Sequence, residues 1–158
     1  EELFPHQVKL SSWDYYEPRC LHDSSLSLST HSVLACDIGD PELGYEMFQK
    51  AGLIDLDNAN PHSSDAGIHA ASYGGLWQCV VWGFGGLRML GGKWRISPNL
   101  PTAWKKLSYT LLWKGQRLNV TVTPRMVQIT GEKQQEAVTL AVWGQEYDFQ
   151  EELIIVKK

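Results

Sequence analysis

Apolar and polar positions change their rhythm once along this chain, near residue 92. Before that point the spacing is helical. Ser24 to Ile38 places Leu26, Leu28, Val33, Leu34 and Ile38 where one face of a helix would gather them. Ser25 or Ser27 is placed to cap this helix, and Gly39 to end it. A second helix opens at Asp40-Pro41-Glu42. Asp40 suits the N-cap, Pro41 the first helical position, and Glu42 the positive end of the helix dipole. Leu43, Tyr45, Met47, Phe48, Ala51 and Leu53 form its apolar face. Asp55 to Gly67 is rich in Asp, Asn, Ser, Pro and Gly and predicts a long loop. Ile68 to Leu90 returns to helical spacing through Trp77, Val80, Val81, Phe84 and Leu87. Gly74, Gly75, Gly83, Gly85 and Gly86 interrupt it, each costing up to about 1 kcal/mol relative to Ala. The segment therefore predicts a buried helix in close contact with its neighbours.

After Gly92 the period becomes two. Lys93–Ile96, Leu107–Trp113, Arg117–Thr123, Val127–Ile129, Val138–Val142 and Tyr147–Phe149 alternate as short strands. Lys114-Gly115-Gln116 and Trp143-Gly144-Gln145 have the composition of hairpin turns. Strands of this length and spacing predict a small antiparallel sandwich. Three helices joined by long loops do not close a core alone, so residues 1–92 read as part of a larger helical domain.

Charge follows the same division. The net charge is −4, but residues 1–92 carry 4 Lys+Arg against 12 Asp+Glu, and residues 93–158 carry 10 against 6. A boundary at Gly91-Gly92 fits this shift. The acidic total excludes a nucleic-acid footprint. At 43% hydrophobic and 20% charged, the chain has the means to bury a core. Ile68–Leu87 is uncharged but holds five glycines, His69, Ser72 and Gln78, so no membrane span is expected. No secretory leader opens the sequence, and Cys20, Cys36 and Cys79 show neither disulfide nor C-x-x-C spacing. A cytoplasmic setting follows as an expectation. Asn119-Val120-Thr121 is then a chance sequon.

Two stretches could bind an anion. His22-Asp23-Ser24-Ser25 precedes a helix, where hydroxyls and unpaired N–H groups converge. An ordinary N-cap explains the same residues. Ile68-His69-Ala70-Ala71-Ser72-Tyr73-Gly74-Gly75 joins a polar loop to a helical segment, and its histidine is either a pocket lining or a structural turn residue. His22, His31, His62 and His69 show no zinc-ligand spacing, so no metal is expected. His31 reads as structural. Glu17 has Arg19 two residues on to neutralise it and is not offered as a catalytic acid. Gly83–Arg88 fails the dinucleotide fingerprint, and no G-x-S-x-G elbow is present. Trp77, Trp82, Trp94 and Trp113 occupy in-pattern apolar positions and read as core.

Five stretches, taken in order, resemble a known family. They are Tyr15-Tyr16-Glu17-Pro18-Arg19, His22-Asp23-Ser24-Ser25-Leu26-Ser27, Asp65–Ser72, Trp77-Gln78-Cys79-Val80-Val81-Trp82-Gly83-Phe84-Gly85-Gly86 and Ile96-Ser97-Pro98-Asn99-Leu100-Pro101. The chain resembles, over nearly its whole length, the C-terminal end of glycoside hydrolase family 65, which includes inverting maltose, trehalose, kojibiose and nigerose phosphorylases. The resemblance implies a mixed fold: the last helices of an (α/α)6 barrel over residues 1–92, then a small all-β C-terminal sandwich over residues 93–158. It implies phosphorolysis of an α-linked glucose disaccharide, with inorganic phosphate as co-substrate and no cofactor. Phosphate would sit against His22, Ser24, Ser25 and His69, with Gly74 and Gly75 letting the backbone come close. The general-acid glutamate of the family lies upstream, so no catalytic residue is expected in this chain, and the missing N-terminal part of the enzyme is an expected partner. A homodimer is possible on the same ground. A hydrolase of the same family, or a non-catalytic carbohydrate-binding or assembly module, are the alternatives. Exposed apolar surface on residues 26–90 is a further expectation.

Overall fold

The computed structural model describes residues 4–57, 67–113, 115–132 and 137–157. Most of the predicted loop from Asp55 to Gly67, including His62 and Asp65, lies outside the described residues, as does Lys114 of the first predicted turn. The chain forms two compact units, Glu1–Gly83 and Phe84–Lys158.

The first unit is helical: α1 (His6–Tyr16), a 3₁₀ turn (Glu17–Arg19), α2 (Ser27–Ile38), α3 (Pro41–Gly52) and α4 (Ala70–Gln78). α1 was not legible as a helix, because it is a weakly amphipathic segment that buries no residue. It attaches to α2 through Lys9 Nζ on Asp37 Oδ2 at 3.3 Å and through Trp13 against the His31 ring at 5.8 Å. α2 ends at Gly39, whose φ of 100° supplies the left-handed cap. Its N-cap is Leu26 rather than a serine, and no side chain caps it. α3 starts as its sequence predicts: the Asp40 carboxylate accepts the Leu43 N–H at 3.0 Å, and Pro41 follows. α2 and α3 touch closely where Ser32 Oγ donates to the Gly44 carbonyl at 2.7 Å. A Cβ at Gly44 would press on Cys36 Sγ at 2.9 Å.

The expected helix over Ile68–Leu90 is shorter and less buried than its pattern suggests. α4 passes into a π-helical turn at Cys79–Phe84, and Leu87–Leu90 is a strand. The change comes at Gly86, which adopts φ 64° and lies against the Ser97 carbonyl, where no side chain fits. Glycine spacing marked a break in the helix, not merely tight packing around it. Trp77 is 52% exposed and Trp82 39% exposed, so these two are not core residues.

The second unit is a sandwich of two four-stranded sheets, ordered β1-β2-β6-β7 and β3-β4-β5-β8. The strands are β1 (Leu87–Leu90), β2 (Lys93–Ile96), β3 (Leu107–Trp113), β4 (Gln116–Thr123), β5 (Met126–Gly131), β6 (Val138–Val142), β7 (Gln145–Phe149) and β8 (Glu152–Val156). β2 and β6 pair in parallel, and the other pairs are antiparallel. Six strands sit where the alternation placed them; β1 and β8 were missed. Gly91-Gly92, read as a boundary, is the turn of the β1–β2 hairpin, both residues having positive φ. Trp143-Gly144 turns β6 into β7 in the same left-handed manner. Leu118, Val120, Val122, Val127 and Ile129 on one sheet, and Trp94, Ile96, Leu140, Val142 and Phe149 on the other, are buried. Each such side chain contributes about 1.5–3 kcal/mol by leaving water. Trp94 and Trp113 meet edge-on at 4.8 Å between the sheets.

Candidate functional site

Two helix starts come together in the first unit. Ser29, early in α2, lies opposite Gly75, midway along α4, where an added Cβ would strike the Ser29 Oγ and Cβ. One turn further along α4, Cys79 Sγ contacts the Ser29 carbonyl at 3.2 Å. Further still, Gly83 lies against Val33 and Cys36 of α2. Position rises along both helices together, so α2 and α4 run parallel and their N-termini share one end. At about 1.5 Å of rise per residue, both starts lie within about two turns of the Ser29–Gly75 crossing. Two parallel helix starts present N–H groups and partial positive charge to the same region.

The residues read as an anion site occupy these two starts. Ser24 is exposed and Ser25 half-buried, just ahead of α2. Ser24 Oγ accepts the Leu26 N–H at 3.3 Å, and its carbonyl accepts the Ser27 N–H at 3.0 Å. His69 is the N-cap residue of α4. Its ring is held by Asp55: Nδ1–H donates to Oδ1 at 2.6 Å, and the His69 backbone N–H donates to Oδ2 at 2.8 Å. The bond to the His69 ring is the largest influence holding the Asp55 carboxyl below its ordinary value. Burial and the neighbouring Asp55 raise the Tyr73 phenol. With Nδ1 committed to Asp55, Nε2 is the ring nitrogen left to meet a ligand.

Of the two glycines, Gly75 faces Ser29 and sets how closely α4 lies on α2, whereas the space a Cβ would take at Gly74 is open. His22 has a left-handed backbone with φ 53°, sparsely populated for a residue that is not glycine. Its ring joins a cluster: Nε2 lies 3.0 Å from Glu17 Oε1, and Nδ1 lies 2.9 Å from Ser27 Oγ. Glu17 Oε2 meets His31 Nδ1. Glu17 is thus engaged by two histidines, while Arg19, expected to neutralise it, stacks on the Tyr15 ring at 4.2 Å and donates to the Tyr15 carbonyl. Asp55 and His31 were missed as site neighbours. Each lies 14 residues from its partner along the chain, and no periodicity connects them.

Helices followed by a two-sheet sandwich are the architecture of a carbohydrate-active class of protein, and both parts of the chain match it. Residues 1–78 match the glycosyl hydrolase family 65 central catalytic domain, and residues 87–149 match the C-terminal domain of the same family. The chain belongs to glycoside hydrolase family 65. It is 43% identical to a kojibiose phosphorylase of Halothermothrix orenii over 129 residues, which cover 82% of this chain and 16% of that enzyme. It is 39% identical to a 1,2-alpha-glucosylglycerol phosphorylase of Bacillus selenitireducens over 148 residues, covering 90% of this chain and 19% of that enzyme. A solved structure from the human microbiome, provisionally named a kojibiose phosphorylase, superposes with a TM-score of 0.86 at 31% identity, covering 98% of this chain and 23% of that one. The chain spans less than a fifth of the length of these curated relatives. Among the described residues, no helix is long and apolar enough to cross a membrane.

Proposed function

We propose that this segment serves an inverting disaccharide phosphorylase and supplies its phosphate-binding loops. The observation that carries the reading is the parallel packing of α2 on α4, with Ser24 and Ser25 at one start and His69 at the other. Ser24 and Ser25 donate hydroxyl and backbone N–H groups to inorganic phosphate. His69 donates from Nε2, and Asp55, opposite Nδ1, holds the ring in place. His22 shapes the approach to Ser24, Gly74 leaves the α4 start open, and Gly75 fixes the spacing of the two helices. A phosphate oxygen then attacks the anomeric carbon of an α-linked glucose disaccharide from the face opposite the leaving sugar. β-Glucose 1-phosphate forms with inversion, and a carboxylic acid from outside this chain protonates the leaving oxygen. Phosphate is the co-substrate and no cofactor takes part. The helices belong to the end of an (α/α)6 barrel, and the enzyme works in the cytoplasm.

The test uses the full-length enzyme that carries this segment. Release of β-glucose 1-phosphate from kojibiose, trehalose and maltose is followed against phosphate concentration. Turnover should require phosphate, and Ser25→Ala and His69→Ala should each raise the KM for phosphate at least about tenfold, a loss of about 1.4 kcal/mol. Turnover to free glucose, indifferent to phosphate, would identify a hydrolase instead. Binding of polysaccharide without turnover would identify a carbohydrate-binding module.

A further inference from the structure

The side chains of Cys20, His22 and His31 converge although their spacing gives no sign of it. One ligand atom from each lies within 4.8 Å of the others. Cys20 Sγ is 3.8 Å from His22 Nδ1 and 3.9 Å from His31 Nε2. A tetrahedral zinc ion, with Zn–S near 2.3 Å and Zn–N near 2.0–2.1 Å, holds sulfur and nitrogen ligands about 3.6 Å apart. Both sulfur–nitrogen distances are therefore within a few tenths of an ångström of that arrangement, and the two nitrogens lie within 4.8 Å of each other.

We propose that Cys20 Sγ, His22 Nδ1 and His31 Nε2 form a site for a zinc-class divalent cation, with Glu17 orienting both imidazoles from behind. This proposal does not rest on the phosphate reading. Glu17 accepts a hydrogen bond from His22 Nε2–H and another from His31 Nδ1–H, one on each carboxylate oxygen. That pair of bonds selects the tautomers in which His22 Nδ1 and His31 Nε2 are unprotonated, 3.8 Å and 3.9 Å from Cys20 Sγ. A carboxylate behind each liganding histidine is the usual outer shell of a zinc site. Charge balances as well. The cation brings two positive charges, against one negative charge on the Cys20 thiolate and one on Glu17. Coordination releases the thiol proton to solvent, with no oxidant or reductant needed.

Two further features fit. The left-handed backbone at His22 holds its ring on the same side as Cys20, two residues earlier. The histidines and Glu17 are partly buried, at 22%, 23% and 17% exposure, so the site is sheltered yet reachable. Ser27 competes: its hydroxyl donates to His22 Nδ1 at 2.9 Å and must turn away when the metal binds. It lies 3.7 Å from Cys20 Sγ, beside the fourth position, where it can hydrogen-bond a metal-bound water. The bound ion would tie the segment ahead of α2 to the helix itself.

The chain, stripped with a chelator under reducing conditions, is titrated with Zn2+ by calorimetry and with Co2+ by absorption. One equivalent should bind, and the Co2+ form should show a thiolate-to-metal charge-transfer band and tetrahedral visible bands. Cys20→Ser, which retains Cys36 and Cys79, should abolish the charge-transfer band. Glu17→Gln should weaken Zn2+ binding by about 10–100-fold. X-ray absorption on the zinc-loaded unmodified chain should give one sulfur and two imidazole ligands, a readout that needs no variant to fold. No saturable binding, a band that survives Cys20→Ser, or a ligand set without sulfur would each overturn the proposal.

Discussion

Ser29 Oγ occupies the space that a side chain at Gly75 would need, so the absence of a side chain at Gly75 lets α4 lie this close to α2. Gly75→Ala should force the two helices apart. We expect a loss of about 1–3 kcal/mol, the usual range for overpacking, read as a lower urea midpoint of the chain. Gly74→Ala, where the added methyl meets open space, should leave the midpoint within about 0.5 kcal/mol of the original or raise it slightly.

The Asp55–His69 pair predicts a specific response to acid. The Asp55 carboxyl is held below its ordinary value of 3.8, chiefly by its hydrogen bond from the His69 ring. A depressed carboxyl stabilises the fold above its unfolded value and loses that contribution as pH falls through the folded one. Asp55→Asn should therefore be less stable than the unmodified chain at neutral pH. The two urea midpoints should converge as pH drops below about 3.8. A separation that does not begin to shrink as pH falls below about 3.8 would break the link.

In the full-length enzyme the same substitution should act on phosphate. With the carboxylate gone, His69 loses the group that orients its ring and backbone. The KM for phosphate should rise about tenfold, an effect of about 1.4 kcal/mol. A change in kcat alone would assign Asp55 to folding or chemistry rather than to phosphate.

Gly86 predicts the behaviour of the sandwich. Its φ of 64° and its contact with the Ser97 carbonyl leave no room for a methyl group. Gly86→Ala should cost about 2–4 kcal/mol, combining the left-handed penalty with a clash against backbone that cannot move aside. Thermal unfolding of the chain, followed by tryptophan emission, checks this. Leu118→Ala should cost a similar 2–5 kcal/mol through the cavity it opens among buried strands.

Trp77 and Trp82 predict surface behaviour. They meet edge-on at 6.2 Å, yet both remain substantially exposed, as do Leu26, Leu56 and Ile68 in the same unit. The isolated chain should bind an apolar dye and associate at high concentration. Trp77→Ser with Trp82→Ser should reduce the dye signal without lowering the urea midpoint. A signal unchanged in that double variant would place the dye elsewhere.

Local chemistry in the sequence determined a good part of this protein. Asp40-Pro41 fixed the start of α3, Gly39 the end of α2, and strict alternation fixed β3 and β6 to the residue, because caps and strand periods depend on neighbours two to four positions away. The serines and His69 were legible as candidates because each precedes a helical pattern. Tertiary structure decided the rest. Helical spacing over Ile68–Leu90 could not show that Gly86 breaks the segment against Ser97, nor that Trp77 and Trp82 face outward. Charge spacing suggested Arg19 for Glu17, whereas the fold delivers two histidines. Asp55 reaches His69, and His31 reaches Glu17 and Cys20, only after the helices dock. Those contacts depend on which helix faces pack together, and no local pattern encodes them.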